Sequence, residues 1–291
     1  MRNTINQKWW LVVAALGIIW LAISVLKPYF AGVTLINPVL LSWGHWQIHW
    51  YGLLLALALL LGWRWLEIEA KGTKLAPQVI DLVIWIALSG MIGARLLFVI
   101  LKWSEFEGSA GAMMNLTQGG LSIHGAILGG AAATFIYCRI NKLPVWWVLD
   151  MLVPPLILGQ IIGRLGNFFN QEAFGGPTDL PWKMWVAPVY RPEVLKNFNF
   201  FHPTFLYEMI GLGIILWLIQ LVRKRVYSAG SLVLIYFISY SVLRFGIEFF
   251  RVDSDKWGQL TVAQWGSLVI IMGGVVIGLI LKRRRKLLPL L

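Results

Sequence analysis

A succession of about eight apolar runs, each roughly 17–25 residues long, decides most of what this 291-residue chain can fold into. The hydrocarbon core of a bilayer is about 30 Å thick, and a helix rising about 1.5 Å per residue crosses it in about 20 residues. Inside that layer no water serves the backbone N–H and C=O groups, so such runs close their hydrogen bonds within a helix. A soluble domain is excluded by the 13% of charged residues, against about 25% in ordinary globular proteins. Mean hydropathy is +0.73. The seventeen tryptophans fit many water–bilayer crossings, because indole rings favour the headgroup level. The expected fold is all-α, a polytopic integral membrane helix bundle of about eight transmembrane helices.

The runs fall near 9–26, 49–65, 79–101, 119–137, 145–169, 204–222, 230–250 and 261–281. Residues 1–30 read as a membrane anchor, since no small-x-small cleavage site follows the first run as it would in a signal peptide. Residues 31–291 form the transmembrane core, with a small extracytoplasmic loop region at 171–202. Residues 30–48 read as a connecting segment with a tryptophan-rich end at Trp43 and Trp46, where His45 is an interfacial side chain. No heptad or internal repeat of the kind many transporters carry is visible.

Basic residues set the orientation. With both termini inside, fifteen of the twenty-five Lys and Arg fall in cytoplasmic segments, including Arg223 to Arg225 and Lys282 to Lys286. Seven fall outside, and Arg95, Arg164 and Arg244 lie within spans. The bias follows the positive-inside rule, so N-in and C-in is expected. It also assigns most of the +12 net charge to topology and anionic lipid, so no nucleic-acid partner is expected.

That orientation places the unusual polar residues by depth. Tyr51, Arg95, His124, Arg164, Asn167, Asn170, His202, Tyr207, Glu208, Tyr240, Arg244, Glu248 and Arg251 all fall in the outer leaflet or at its surface. An arginine at a helix centre costs about 2.5–3.5 kcal/mol to insert, and less towards the ends. Two readings fit Arg164 alone: a functional cation with Asn167 on the same helix face, or a side chain that snorkels or pairs structurally. Arg244 and Glu248, at i and i+4, could likewise be a simple pair along their helix. Asp81 and Asp150, near inner helix ends, read as structural. Gathering three arginines, a histidine and several carboxylates at one depth describes a site.

Arginine's planar fork suits phosphate, and lipid phosphates lie at that depth. Histidine titrates near neutrality and suits a proton acceptor. Gly119-Gly120 and Gly129-Gly130 remove bulk around His124, for close helix approach or for a lipid chain. The single cysteine, Cys138, excludes an intramolecular disulfide framework and a multi-cysteine zinc site, and reads as a small apolar residue. No metal and no cofactor are expected.

Five blocks in this order resemble the bacterial prolipoprotein diacylglyceryl transferase family. They are His49-Trp50-Tyr51-Gly52, the GGLSIHG run at 119–125, GRLGNFFNQE at 163–172, His202-Pro203 with Leu206-Tyr207-Glu208, and YSVLRFGIEFFR at 240–251. The resemblance covers roughly residues 36–281. It implies a core of seven spans, with 9–26 as an extra N-terminal one. It also implies transfer of a diacylglyceryl group from phosphatidylglycerol to the lipobox cysteine of a prolipoprotein signal peptide. Glycerol phosphate leaves, in the first step of bacterial lipoprotein maturation. The location implied is the cytoplasmic (inner) membrane, crossed many times among its lipids, with the active site at the outer leaflet.

By the same resemblance His124, Arg164 and Arg244 are catalytic. Arg164 grips the lipid phosphate with Asn167 and Glu172 in support. Arg244, Tyr240 and Glu248 complete the anion pocket, His124 is the suggested base, and Tyr51 lines the pocket. Arg95, Asn170 and Gly175 complete the substrate-binding set. Two departures stand out. The run at 9–26 puts the N-terminus inside where the family usually has it outside, and Gln171, at a position usually glycine, crowds the mouth. A lipid transporter or scramblase, or an inactive lipid-binding scaffold, are the competing readings.

Overall fold

The apolar runs are helices in the computed structural model, which describes residues 24–44, 46–106, 108–115, 119–223, 228–252 and 254–287. Seven helices among them are long and apolar enough to cross a membrane. They are α1 (Trp50–Ala70), α2 (Val79–Leu101), α3 (Ile123–Ile140), α4 (Val145–Asn170), α5 (Thr204–Val222), α6 (Ser231–Ile247) and α7 (Val262–Leu287). The run expected at 9–26 lies outside the described residues except at its end, where residues 24–30 are helical. His45 also lies outside them.

Two local expectations change. Residues 30–48 are more than a connector: β1 (Val39–Trp43) and β2 (Trp46–His49) pair as an antiparallel hairpin with Trp43 opposite Trp46. Its signal was in the sequence, because apolar and polar residues alternate on both sides of Gly44-His45. The run expected at 119–137 becomes a helix over Ile123–Ile140. Gly119 and Gly120 sit at φ of 77° and 79°, a region closed to a helix, and Ser122 caps the first turn by accepting from the Gly125 N–H.

The chain divides into two units. The first comprises Met1–Ala56, Gln160–Gly213 and Tyr240–Met272. Its core is aromatic: Phe168, Phe174, Phe201 and Phe205 enclose Met184 and Val186, and Phe30 stacks on Phe168. The segment between α4 and α5 is anchored by β3 (Met184–Trp185) pairing with β4 (Phe200–Phe201). Arg191 is buried there, donating to the carbonyls of Val186 and Lys196. Its charge therefore holds a turn together.

The second unit comprises Leu57–Gly159, Ile214–Ser239 and Gly273–Leu291. Here α2 and α3 pack backbone to backbone. A Cβ on Gly125 would strike the Gly93 carbonyl, and one on Gly129 would strike that of Ser89. Small residues permit this approach, which is how apolar helices associate when lipid removes the hydrophobic drive. Cys138 is fully buried in the adjoining core with Leu66, Leu82 and Val148. Asp150 accepts from the backbone N–H groups of Gly230 and Val233, capping the start of α6. Glu69 takes a two-pronged pair from Arg223 and a bond from the Trp65 indole. These polar groups are structural.

Candidate active site

The site builds outward from Arg164, less than two turns from the end of α4. Arg164 and Asn167 share a face at i and i+3, and Arg164 Nη1 donates to Asn167 Oδ1 at 3.1 Å. Asn167 Nδ2 passes the chain on to Glu172 Oε1 at 2.8 Å, and Asn170 Nδ2 reaches the same oxygen at 3.2 Å. On its other side Arg164 Nη2 binds Glu208 Oε1 on α5, which also accepts from the Tyr240 hydroxyl of α6 at 2.9 Å. The result is one hydrogen-bonded chain, Glu172–Asn167–Arg164–Glu208–Tyr240, drawn from three helices and the turn that follows α4.

The energetics of that chain turn on Glu208. Its side chain is 2% exposed and that of Arg164 is 24% exposed. A carboxylate so buried is tolerable only when paired and hydrogen-bonded, and removing one partner of such a pair costs about 3–5 kcal/mol. Arg164 gives one N–H each to Asn167 and Glu208 and lies beside Tyr240. A guanidinium carries five N–H donors in a fixed fork, so the group is held in place and still has donors to offer.

The end of α4 explains how Glu172 turns back. Gln171 sits at φ 50°, closing the helix with its N–H on the Phe168 carbonyl, and the Glu172 N–H returns to the Asn167 carbonyl. Glycine normally occupies such a left-handed terminal position. Gln171 offsets the strain by burying its side chain, 2% exposed, and accepting from the Ala187 N–H at 2.7 Å. It thereby ties the helix end to the following loop. Glu172 borders a cavity of about 520 Å³ lined also by Pro38, His49, Tyr190 and Pro192, within the size range of small-molecule sites.

The remaining expected residues fall into place around this chain or away from it. The Tyr51 ring lies against Gly166, where a Cβ would strike it. Gly175 is a crossing point: its N–H donates to His202, it bridges Arg251, and a Cβ would meet the Phe250 carbonyl. Arg244 Nη2 stands 2.7 Å from Glu248, whose side chain is fully buried. Arg95 and His124 belong to the other unit. Arg95 donates from all three nitrogens to five backbone carbonyls, of Ala112, Met113, Asn115, Gly119 and Gly120. That uses every donor it has, so it orders the segment leading into α3. His124 is exposed in the first turn of α3.

Sequence reasoning groups Glu208 with the polar residues expected at the outer leaflet but gives it no role, though it is the group on which Arg164 and Tyr240 converge. The available signal was an unpaired acid at the head of an apolar span, which is costly and so functional by default. Nearby, the Trp182 indole donates to the Tyr207 oxygen at 2.7 Å, and that hydroxyl lies 3.0 Å from His202 Nδ1. The direction of that last bond follows the histidine tautomer: the Tyr207 hydroxyl donates to Nδ1 when the ring carries its hydrogen on Nε2, and accepts when Nδ1 is protonated. Burial pushes the His202 pKa below its ordinary value. Among the described residues no three His, Cys, Asp or Glu side chains gather as a metal set.

Seven membrane-length helices among the described residues, with a buried arginine–carboxylate chain between three of them, define an integral membrane protein. The comparisons agree with that class and narrow it. The family model for prolipoprotein diacylglyceryl transferase matches residues 38–280. Phosphatidylglycerol--prolipoprotein diacylglyceryl transferase from Thermosynechococcus vestitus is 44% identical, over 80% of this chain and 88% of its own length. The enzymes of that name from Trichormus variabilis and Prochlorococcus marinus are 41% and 40% identical, covering 84% and 91% of this chain and 87% and 97% of their own lengths. The chain belongs to the prolipoprotein diacylglyceryl transferase family.

Proposed function

We propose that this multi-pass membrane enzyme transfers the diacylglyceryl group of phosphatidylglycerol to a prolipoprotein thiol, with the Arg164–Glu208–Tyr240 network as the group that receives the lipid phosphate. The thiolate sulfur attacks the glyceryl carbon, and the bond from that carbon to the phosphate oxygen breaks. Its electrons leave with glycerol phosphate, and the thiol proton goes to a base. The acceptor is the lipobox cysteine of the signal peptide. Cys138, buried in the other unit's core, supplies no thiol.

The observation that carries this reading is an arginine anchored on a fully buried carboxylate with donors left over. Charge grows on the phosphate oxygens as the leaving group departs, and a preorganised guanidinium stabilises it without reorganising. Holding the reacting atoms in line in a partly dry site supplies the rest. Arg244 adds a second cation on the helix that carries Tyr240, Glu172 and Asn167 orient Arg164 from its other side, and Tyr51 borders them. The family resemblance assigns the base to His124, whose ring is exposed. The positive-inside count supports a site at the outer leaflet of the bacterial cytoplasmic membrane, with the basic excess facing anionic lipid.

The test mixes purified protein, phosphatidylglycerol and a lipobox peptide, and reads the mass of the peptide. The expected result is a diacylglyceryl adduct on its cysteine, lost in Arg164→Ala with membrane insertion intact. No adduct with the unaltered protein overturns the reaction, and substantial activity in Arg164→Ala places the phosphate grip elsewhere. Reporter fusions after Leu143 and after Lys183 check the topology; finding both on one side of the membrane overturns the outer-leaflet placement.

A further inference from the structure

Arg244 and Glu248 are not a self-sufficient ion pair. Arg244 Nη2 comes within 2.7 Å of a Glu248 oxygen, yet the alignment is too poor for a hydrogen bond. Both Glu248 oxygens and Arg244 Nη1 are buried with no hydrogen-bond partner among the described residues. Glu248 has no exposed side-chain surface. Elsewhere in this unit a buried acid does receive donors: Glu208 Oε1 takes bonds from Arg164 and Tyr240. A buried carboxylate with two oxygens and no donors is costly, so its position calls for a guest that brings donors.

The chemistry of the guest follows from charge. A phosphate brings only acceptors and a negative charge, so it belongs on Arg244 and is repelled by Glu248. A carboxylate accepts; it does not donate. The group that suits it is a hydroxyl beside the phosphate. In phosphatidylglycerol the head glycerol carries two hydroxyls within a few bonds of the phosphorus. We infer that Glu248 is the specificity-determining residue for the headgroup, accepting a head-glycerol hydroxyl while Arg244 takes the phosphate.

The two residues then exchange partners on lipid binding. The Arg244 fork turns from Glu248 to the phosphate oxygens and spends its idle Nη1 donor there. Glu248, released from Arg244, receives the hydroxyl. Tyr240, Arg244 and Glu248 recur every fourth residue along one face. α6 and the 3-10 turn that continues it at Glu248–Phe250 therefore present a hydroxyl bound to Glu208, then a phosphate ligand, then a hydroxyl acceptor. This inference rests on the transfer reaction proposed above and names what that site reads in its donor lipid.

The experiment compares phosphatidylglycerol with phosphatidylpropanol of the same acyl chains, whose headgroup has the same carbon count and no hydroxyl. The unaltered protein and Glu248→Gln are assayed on both in mixed micelles, with detergent size-exclusion profiles to verify folding. The expected result is a kcat/KM at least about tenfold higher on phosphatidylglycerol for the unaltered protein, the order a hydrogen bond to a charged group supplies. In Glu248→Gln that preference falls below about threefold, mainly through loss on phosphatidylglycerol. Equal use of both lipids by the unaltered protein overturns the inference whatever the variant does. A variant that loses both lipids equally, or keeps the full preference, overturns it too and leaves Glu248 as a clamp for Arg244. Absence of any adduct from phosphatidylglycerol is a different outcome, and it strikes the transfer reaction itself.

Discussion

Arg164 on α4 is held by Glu208 on α5, and the same Glu208 oxygen receives the Tyr240 hydroxyl from α6. One carboxylate, 2% exposed, thus fixes the guanidinium that the sequence singles out and fastens three helices together. It is a positioning residue: it acts on the reaction through Arg164.

Glu208→Gln removes the charge and keeps an acceptor oxygen. The expected outcome is a stability loss of about 3 kcal/mol, from an arginine left without its buried counter-ion, together with a fall in kcat of about 100-fold as Arg164 loses its aim. Thermal unfolding in detergent and single-turnover transfer check the two effects. A variant with normal kcat would show that Arg164 needs no such support.

Arg164→Lys keeps the charge and removes the fork. A lysine cannot reach Asn167, Glu208 and a phosphate together with planar geometry. Transfer is expected to drop by about 100-fold or more while insertion and helix content stay normal. Circular dichroism beside the peptide mass assay separates the two.

Gly129→Ala adds one methyl group where α2 and α3 are closest. The new carbon would strike the Ser89 carbonyl, which is backbone and cannot rotate away. Overpacking of this kind costs about 1–3 kcal/mol, so a lower unfolding temperature is expected. Gly159→Ala, where a Cβ meets nothing within 4 Å, is the matched control and is expected to be neutral.

His202 makes stability depend on pH in a defined direction. Burial holds its pKa below the ordinary 6.5, so the folded chain resists a proton that the unfolded chain accepts. Its contribution is complete above about pH 6.5 and is lost as acidification passes through the lowered folded-state pKa. The unfolding temperature is expected to fall between neutral and mildly acidic pH, and His202→Gln to flatten that slope. An unchanged slope would assign the acid sensitivity to other groups.

Most of the secondary structure was legible because hydrocarbon permits so little else. The helices expected at 79–101, 145–169 and 204–222 appear at Val79–Leu101, Val145–Asn170 and Thr204–Val222. The hairpin at Val39–Trp43 and Trp46–His49 was legible only in its alternation about Gly44-His45, a weak signal because eleven residues beside a long apolar run are easily taken for a connector. Gln171, expected at the mouth, does line the cavity beside Glu172; what the sequence does not show is that its side chain accepts from the Ala187 N–H, a partner sixteen residues away that no local pattern reveals.

By itself the sequence determined the described spans, the presence of Arg164 and Arg244 within two of them, and the family, because each depends on local composition or ordered motifs. Only the tertiary structure decided what each charge does. Arg95 and Arg164 look alike in sequence, as single arginines in apolar helices. One spends all its donors on the carbonyls of its own loop, and the other is braced by Glu208 with donors in reserve. The reason is physical: a buried charge is defined by its partners, and those partners come from other helices whose packing the sequence does not spell out.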